Sequence, residues 1–383
     1  MARFFHFCSD EKFINSAYNQ FQNLFPDENK FYIYGCPKRQ TTHIKLNEDY
    51  EFIDNIKETF ENIPDNAVVF FHSLPDSLIW HLEYFKKSVT LVWFLFGYEV
   101  YNDHNLYSEK KSLDVQTREI FGYNHINLKE QLKRILWPFL RKIKPDLYYT
   151  KWEEKILKLK RINYFGFYYP EEYKQICKLL NFERPLFNFW YYPIEDIVIN
   201  NELFINNKEF IMIGNSGFKT NNHIDVFSKI SKLGLKNKIV MPISYGNKNY
   251  TEQLIKHIEE HYNYLEINYL QQFLTLNEYN AFLNSIKTAI FNTRRQQAIG
   301  NIITLINNGS KVFISEKNTF YHYLVNRGIK VFSYEKDMNL KEINSSLDIE
   351  TIKSNREKLY DLLNHERLKN ELLNSIKKIL PNE

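Results

Sequence analysis

Residues 211–223 read IMIGNSGFKTNNH. In a chain of 383 residues with only eleven glycines, Gly214 and Gly217 stand directly after an apolar run and directly before a helix-like segment. Glycine accepts positive φ and lets a ligand come close to the backbone. The free N–H groups at a helix start, at the positive end of the helix dipole, favour an anion such as a diphosphate. Asn215 and Ser216 complete the turn, Lys219 adds a cation, and His223 opens the following helix, where it could orient the turn or contact phosphate. The same residues also describe an ordinary strand-to-helix turn capped by Asn221 or Asn222, and the motif alone leaves both readings open.

A second constellation, FNTRRQQAIGNI over residues 291–302, begins at the end of an apolar run and enters a helix carrying Ile299, Ile302, Ile303 and Ile306. Arg294 and Arg295 can make forked contacts to phosphate. Gln296 and Gln297 suit sugar hydroxyls or an acetamido group, and Gly300, Asn301 and Tyr245 join the same donor-binding set. The alternative is a solvated helix start whose arginines pair with nearby acids.

For proton transfer, Asp10, His72 and Glu99 each follow an apolar run of the N-terminal half. Glu99, among Phe96, Tyr98 and Tyr101, is the first choice, because partial desolvation raises a carboxyl group towards the range useful to a general base. A loop carboxylate capping the next segment is the plain alternative, and His72 fits a buried structural histidine equally well.

Short apolar runs alternate with longer periodic segments throughout. Strands are predicted at RFFHFC, KFYIYG, AVVFFH, VTLVWFLF and DLYYT, and again at EFIMIG, KIVMPI, TAIFN, KVFIS and IKVFSY. Continuous apolar strands of this kind belong in parallel sheets covered by helices on both faces. The length suits two domains. The aromatic stretch between Pro185 and Pro193 and the residues after it read as the connection, and the tail from Leu347 is helical in period. Three scattered cysteines, Cys8, Cys36 and Cys177, indicate a reducing compartment without a disulfide framework. The N-terminus lacks the pattern of a secretory signal, and no apolar run is long enough to span a bilayer. A formal charge of only +4 speaks against nucleic acid, and no G-x-G-x-x-G follows a strand to bind a dinucleotide. Residues 129–161, by contrast, interleave Lys and Arg with Leu, Ile, Trp137, Phe139 and Trp152, which suits an anionic membrane surface or, equally, a solvated basic helix.

The runs IMIGNSGFKTNNH, KIVMPISYG and LNEYNAFLNSIKTAIFNTRRQQAIGNI resemble the bacterial 4-alpha-L-fucosyltransferase-like family, glycosyltransferase family 56. The N-terminal runs FHFCSDEKFI, VVFFHSLPDSLIW and VWFLFGYEVY resemble it more loosely. Where the family has Trp-Gly-Ala-Asp, this chain has Phe96-Gly97-Tyr98-Glu99, which keeps a carboxylate. The resemblance implies a GT-B architecture: an α/β chain with two Rossmann-like domains facing across a cleft and a C-terminal helix crossing back. On that basis residues 1–195, with 355–383 packed on them, form the acceptor domain, and residues 196–354 the nucleotide-sugar domain. It further implies transfer of a TDP-linked deoxy-amino sugar to a polyprenyl-diphosphate-linked saccharide at the cytoplasmic face of the membrane, with inversion. No Asp-x-Asp occurs in the sequence, so neither a metal nor another cofactor is expected. A non-catalytic nucleotide-sugar-binding or scaffold protein of a polysaccharide assembly complex is the second reading.

Overall fold

A computed structural model describes residues 2–36, 39–103, 105–123, 132, 135–136, 139–140, 142–143, 151–198 and 208–380. The chain divides into two compact units. Unit 1 comprises Met1–Ser108, His125–Tyr192 and Glu366–Glu383, and unit 2 comprises Glu109–Asn124 and Pro193–His365.

Unit 1 is built on seven parallel strands: β1 (Phe4–Cys8), β2 (Asn29–Ile33), β3 (Tyr50–Phe52), β4 (Val68–His72), β5 (Thr90–Phe94), β6 (Tyr164–Phe167) and β7 (Leu186–Asn188). Their order is β3-β2-β1-β4-β5-β6-β7. Every residue of β1 and β4 is buried, which is why these strands read as almost continuous apolar runs, interrupted only by His6 and His72. Phe5, Phe7, Val69, Phe71, Leu91 and Trp93 pack on one side of the sheet; Phe4, Val68, Phe70, Val92 and Phe94 pack on the other. The helix His365–Ile379 covers that second side with Leu372 and Ile376, so the end of the chain completes the unit 1 core.

Unit 2 has six parallel strands: β8 (Phe210–Ile213), β9 (Ile239–Pro242), β10 (Ile267–Leu270), β11 (Ile286–Phe291), β12 (Lys311–Ile314) and β13 (Phe332–Ser333), in the order β10-β9-β8-β11-β12-β13. In both sheets the strand order reverses at the first strand, between β1 and β4 and between β8 and β11. Ligands of open parallel sheets bind at the carboxyl ends beside such a reversal.

Several elements differ from the sequence expectation. The short strands β3, β6, β7 and β10 were not foreseen, and β7 lies inside the stretch read as a connection. The strand expected at Asp146 lies outside the described residues, as does most of 129–150, Trp137 included. The segment Glu109–Asn124, read with the N-terminal half, groups with unit 2.

Candidate active site

In unit 2 the sequence 211–223 forms β8, a tight turn, a single 3-10 turn (Lys219–Asn221) and the helix His223–Lys232. Gly214 has φ +67°, and a Cβ there would lie 2.7 Å from His223 Nε2 and 3.0 Å from Asn221 Oδ1. Gly217 donates to Tyr245 O at 2.7 Å and accepts from the Asn247 amide at 2.9 Å, so a Cβ at Gly217 would strike Thr251 Oγ1 at 2.2 Å. Both glycines are therefore set by close approach. The buried Asn221 holds the turn from inside, accepting from Asn215 N at 3.2 Å and donating to Ser216 O at 2.9 Å.

Asn222 stands at the N-cap position with φ 52°, but its side chain does not cap the helix. It accepts from Asp114 N at 2.8 Å and donates to Asn292 O at 2.7 Å and Ser112 O at 3.1 Å, tying the segment 109–124 to the ends of β8 and β11. Asp225 reinforces the tie, accepting from the amides of Gln116 and Thr117 at 2.9 Å each. His223 is buried, and its Nδ1 meets Tyr250 Oη at 3.0 Å. Burial lowers its pKa to about 3, so the ring is neutral. Its Nε2, facing Gly214, has no hydrogen-bond partner among the described residues.

The second constellation meets the first across the β8–β11 boundary. Gln297 donates to Asn215 Oδ1 at 3.1 Å and accepts from Thr220 Oγ1 at 2.8 Å. Asn215 donates to Tyr245 Oη at 2.7 Å, and Asn301 donates to Tyr279 Oη at 2.9 Å. Ala298, just before the helix Ile299–Asn307, has φ 61°, a left-handed conformation uncommon for alanine. Gly300 in the first helical turn has open space where a Cβ would go. Gln296 Oε1 is buried without a partner among the described residues, and Arg295 O accepts from Asn318 Nδ2 at 2.9 Å.

Two of the nominated cations are already paired. Arg294 bonds to Asp114, and Lys219 lies 3.0 Å from Glu109. For Arg294 the plainer expectation, pairing with a nearby acid, is thus realised. Burial pushes the Asp114 carboxyl up, but Asn292, Arg294 and the Val115 amide outweigh it and hold it below the ordinary range. Asp114 and Glu109 were missed by the sequence reading. Asp114 carries a local signal as the cap of the helix Val115–Phe121, but nothing local points to an arginine 180 positions away.

In unit 1, Asp10 and Glu99 follow β1 and β5 and His72 is the last residue of β4, so the three stand at the carboxyl ends of adjacent strands. The Asp10 carboxylate accepts from the amides of His43 at 3.0 Å and Ile44 at 2.9 Å. Burial raises its pKa, but these bonds and that from Thr42 leave it below the ordinary range, which makes it a loop anchor and a weak base. His72 is wholly buried with both ring nitrogens engaged. The polarity of its chain is fixed at the far end. Asn29 donates Nδ2 to Phe25 O at 2.7 Å and so presents Oδ1 to His6 Nε2 at 3.2 Å. Since burial lowers His6 to about 3 and His72 well below its usual value, both rings are neutral. His72 Nε2 then donates to His6 Nδ1 at 3.0 Å, and Tyr191 Oη donates to His72 Nδ1 at 2.7 Å.

Glu99 differs from both. Gly97, with φ +89°, turns the chain into the short helix Tyr98–Tyr101. The residue as a whole is partly exposed, yet both carboxylate oxygens are out of solvent and no described group makes a well-formed hydrogen bond to them. Burial raises its pKa to about 7, opposed by the nearby amides of Glu99, Phe96 and Leu74 and by the Trp93 indole.

Residues 189–359 match the family model described as 4-alpha-L-fucosyltransferase glycosyl transferase group 56, a span that contains every residue nominated for donor binding. Similar solved structures include an alpha,alpha-trehalose 6-phosphate synthase from Burkholderia multivorans (TM-score 0.58, 8% identity, covering 100% of this chain and 99% of that one). Another is the Escherichia coli trehalose-6-phosphate enzyme bound with UDP-2-fluoro glucose (TM-score 0.60, 9% identity, 99% of each chain). The N-terminal domain of the Candida albicans trehalose-6-phosphate phosphatase is similar as well (TM-score 0.60, 10% identity, 100% and 97%). At such low identity these likenesses establish the fold, which is GT-B. The chain is a glycosyltransferase, and its residues 189–359 match the family model of the 4-alpha-L-fucosyltransferase group, group 56.

Proposed function

We propose that the enzyme transfers a deoxy-amino sugar from a TDP-type nucleotide to a lipid-linked saccharide, without a metal and with inversion. The observation that carries the donor half is the glycine turn at the β8–β11 reversal. The amides of Gly214, Asn215 and Gly217 are bonded to Ile290 O, Asn221 Oδ1 and Tyr245 O, so the groups this edge offers a diphosphate are side chains: the unpartnered His223 Nε2 and the arginines of 294–295. With Tyr250 Oη donating to Nδ1, the neutral ring offers Nε2–H to a diphosphate oxygen. Arg294, aligned by Asp114, and Lys219 supply positive charge where the leaving diphosphate develops negative charge. Gln297, through Asn215, ties this edge to the turn and leaves the sugar side to Gln296 and Asn301.

On the acceptor side Glu99 is the general base, since Asp10 and His72 are committed to structural bonds. A buried carboxylate with no well-formed hydrogen bond, its pKa raised by burial to about 7, can take the proton of a sugar hydroxyl as the glycosidic bond forms. The lipid-linked acceptor is supported by Leu132, Ile135, Leu136, Phe139, Leu140 and Ile143. All are helical and exposed, and in the sequence they recur at intervals of three and four, the periodicity of one helical face. The sequence sets Lys133, Arg134, Arg141, Lys142 and Lys144 among them. An apolar stripe with basic neighbours suits peripheral attachment to anionic lipid. Among the described residues no helix is long and apolar enough to cross a membrane.

A thermal-shift screen with TDP, UDP and GDP tests the donor assignment. Selective stabilisation by TDP is expected. A shift with UDP or GDP alone would reassign the base, and no shift with any of them would remove the nucleotide site.

A further inference from the structure

Beside the glycine turn, on the side away from the arginines, three aromatic side chains stand in solvent. Phe218, Tyr245 and Phe273 are 41%, 45% and 77% exposed. They follow β8, β9 and β10, so three neighbouring strands deliver them to one stretch of the carboxyl edge. Ring centroids of Phe218 and Tyr245 lie 6.3 Å apart; those of Tyr245 and Phe273 lie 6.4 Å apart with planes inclined by only 22°. Exposed aromatic clusters are unfavourable in water and mark binding surfaces.

The cluster is built into the turn. Tyr245 O accepts the Gly217 amide, Gly217 and Gly246 form a β-bridge, and Tyr245 Oη accepts from Asn215. Gly246, with φ +136°, permits that contact, because a Cβ there would lie 2.5 Å from Gly217 C. Along the sheet edge the order is therefore aromatic faces over β10 and β9, the glycine turn on β8, and the arginine–glutamine run on β11. A nucleoside diphosphate sugar has the same order: a flat base, a diphosphate, a sugar.

We infer that Phe218, Tyr245 and Phe273 form the stacking surface for the nucleobase of the donor. This rests on the donor reading of the glycine turn. The π-faces are the chemical complement of a base and not of a phosphate, and stacking of this kind is tolerant of base identity. The surface thus binds the base by its face, and discrimination among bases falls to other contacts.

Calorimetric titration of the full chain with TDP and, separately, with inorganic pyrophosphate separates the two readings. Phe273→Ala and Phe218→Ala change exposed rings and should leave the fold intact. Each is expected to weaken TDP by roughly tenfold or more, in line with typical stacking losses, while leaving pyrophosphate binding unchanged. Phe273→Tyr should restore TDP binding. An unchanged TDP affinity in the Phe218→Ala/Phe273→Ala double variant overturns the inference while leaving the donor site standing. Equal losses for TDP and pyrophosphate also overturn it, since the variants would then act through the turn. If the unmodified enzyme binds neither ligand, the donor reading itself fails.

Discussion

At the carboxyl edge of the second sheet, Asn215, Thr220, Asn221, Gln297 and Arg294 each have a hydrogen-bond partner within the same unit. At the same edge of the first sheet, the Glu99 carboxylate has no well-formed hydrogen bond from any described group. Both edges come from the same plan, an all-parallel sheet with a strand reversal, but the Glu99 carboxylate and these five side chains are held in opposite ways. A site that must hold a charged ligand in one geometry gains from side chains already fixed by one another, since little ordering remains to be done on binding. A group that must accept a proton gains from having no such bonds, since each hydrogen bond to the carboxylate would make it a weaker base. Asp10 supplies the control within unit 1: a carboxylate after a neighbouring strand, bonded by backbone amides and held below its ordinary range.

The largest effect is expected where the donor edge is most tightly built. Gly214→Val puts a branched side chain at φ +67° against His223 and Asn221, and nucleotide binding should be abolished. Calorimetry with TDP, alongside circular dichroism to check the fold, measures it; a folded variant with unchanged affinity removes the turn from the site.

The next effect isolates the unpartnered carboxylate. Glu99→Gln keeps size and removes basicity, so turnover should fall by about 10²-fold or more with donor affinity nearly unchanged. In the unmodified enzyme, activity should rise with pH through about 7 as Glu99 deprotonates. Near-normal turnover in the variant, or an acid limb far from that value, would move the role elsewhere.

Asp114→Asn sharpens the donor side. Asparagine keeps the cap of the helix Val115–Phe121 but releases the Arg294 guanidinium from its charged partner. If Asp114 aligns Arg294, diphosphate affinity should fall about tenfold, within the usual worth of a charge-assisted hydrogen bond. Tighter binding would show instead that Asp114 competes with the phosphate.

The smallest effect is on stability. The folded-state pKa of Glu99 is raised above its unfolded value, so its contribution is fully present below the unfolded pKa and is lost as pH rises through about 7. Glu99→Gln stays neutral, and its Tm relative to the unmodified protein should therefore increase between pH 5 and pH 8. A difference that does not change with pH would mean the carboxyl group is not desolvated.

The strands that were legible in the sequence are those buried on both faces, such as β1, β4, β9 and β12, because burial favours an almost continuous apolar run. The missed strands are short, and some lie at sheet edges. β10 reads Ile-Asn-Tyr-Leu with no residue fully buried, and β6 contains Gly166, where the Phe94 ring crosses so closely that a Cβ would lie 2.0 Å from it. The glycine turn was legible because its chemistry is local, contained in ten residues. Its supports were not. Asn222 looked like a helix cap and instead ties down Asp114, and the segment 109–124 reaches unit 2 through partners more than a hundred positions away. Glu99 was legible as a carboxylate after an aromatic strand, but only the structure shows that its buried oxygens have no well-formed hydrogen bond whereas those of Asp10 accept from backbone amides.

The central claim, that the glycine turn and the run after β11 together receive the donor diphosphate, is tested most directly by amide hydrogen exchange with and without saturating TDP. Protection is expected to concentrate in peptides covering residues 214–223 and 294–301, with little change around Asp10 and His72. Protection that leaves both of those stretches unchanged and appears elsewhere in the chain would contradict it.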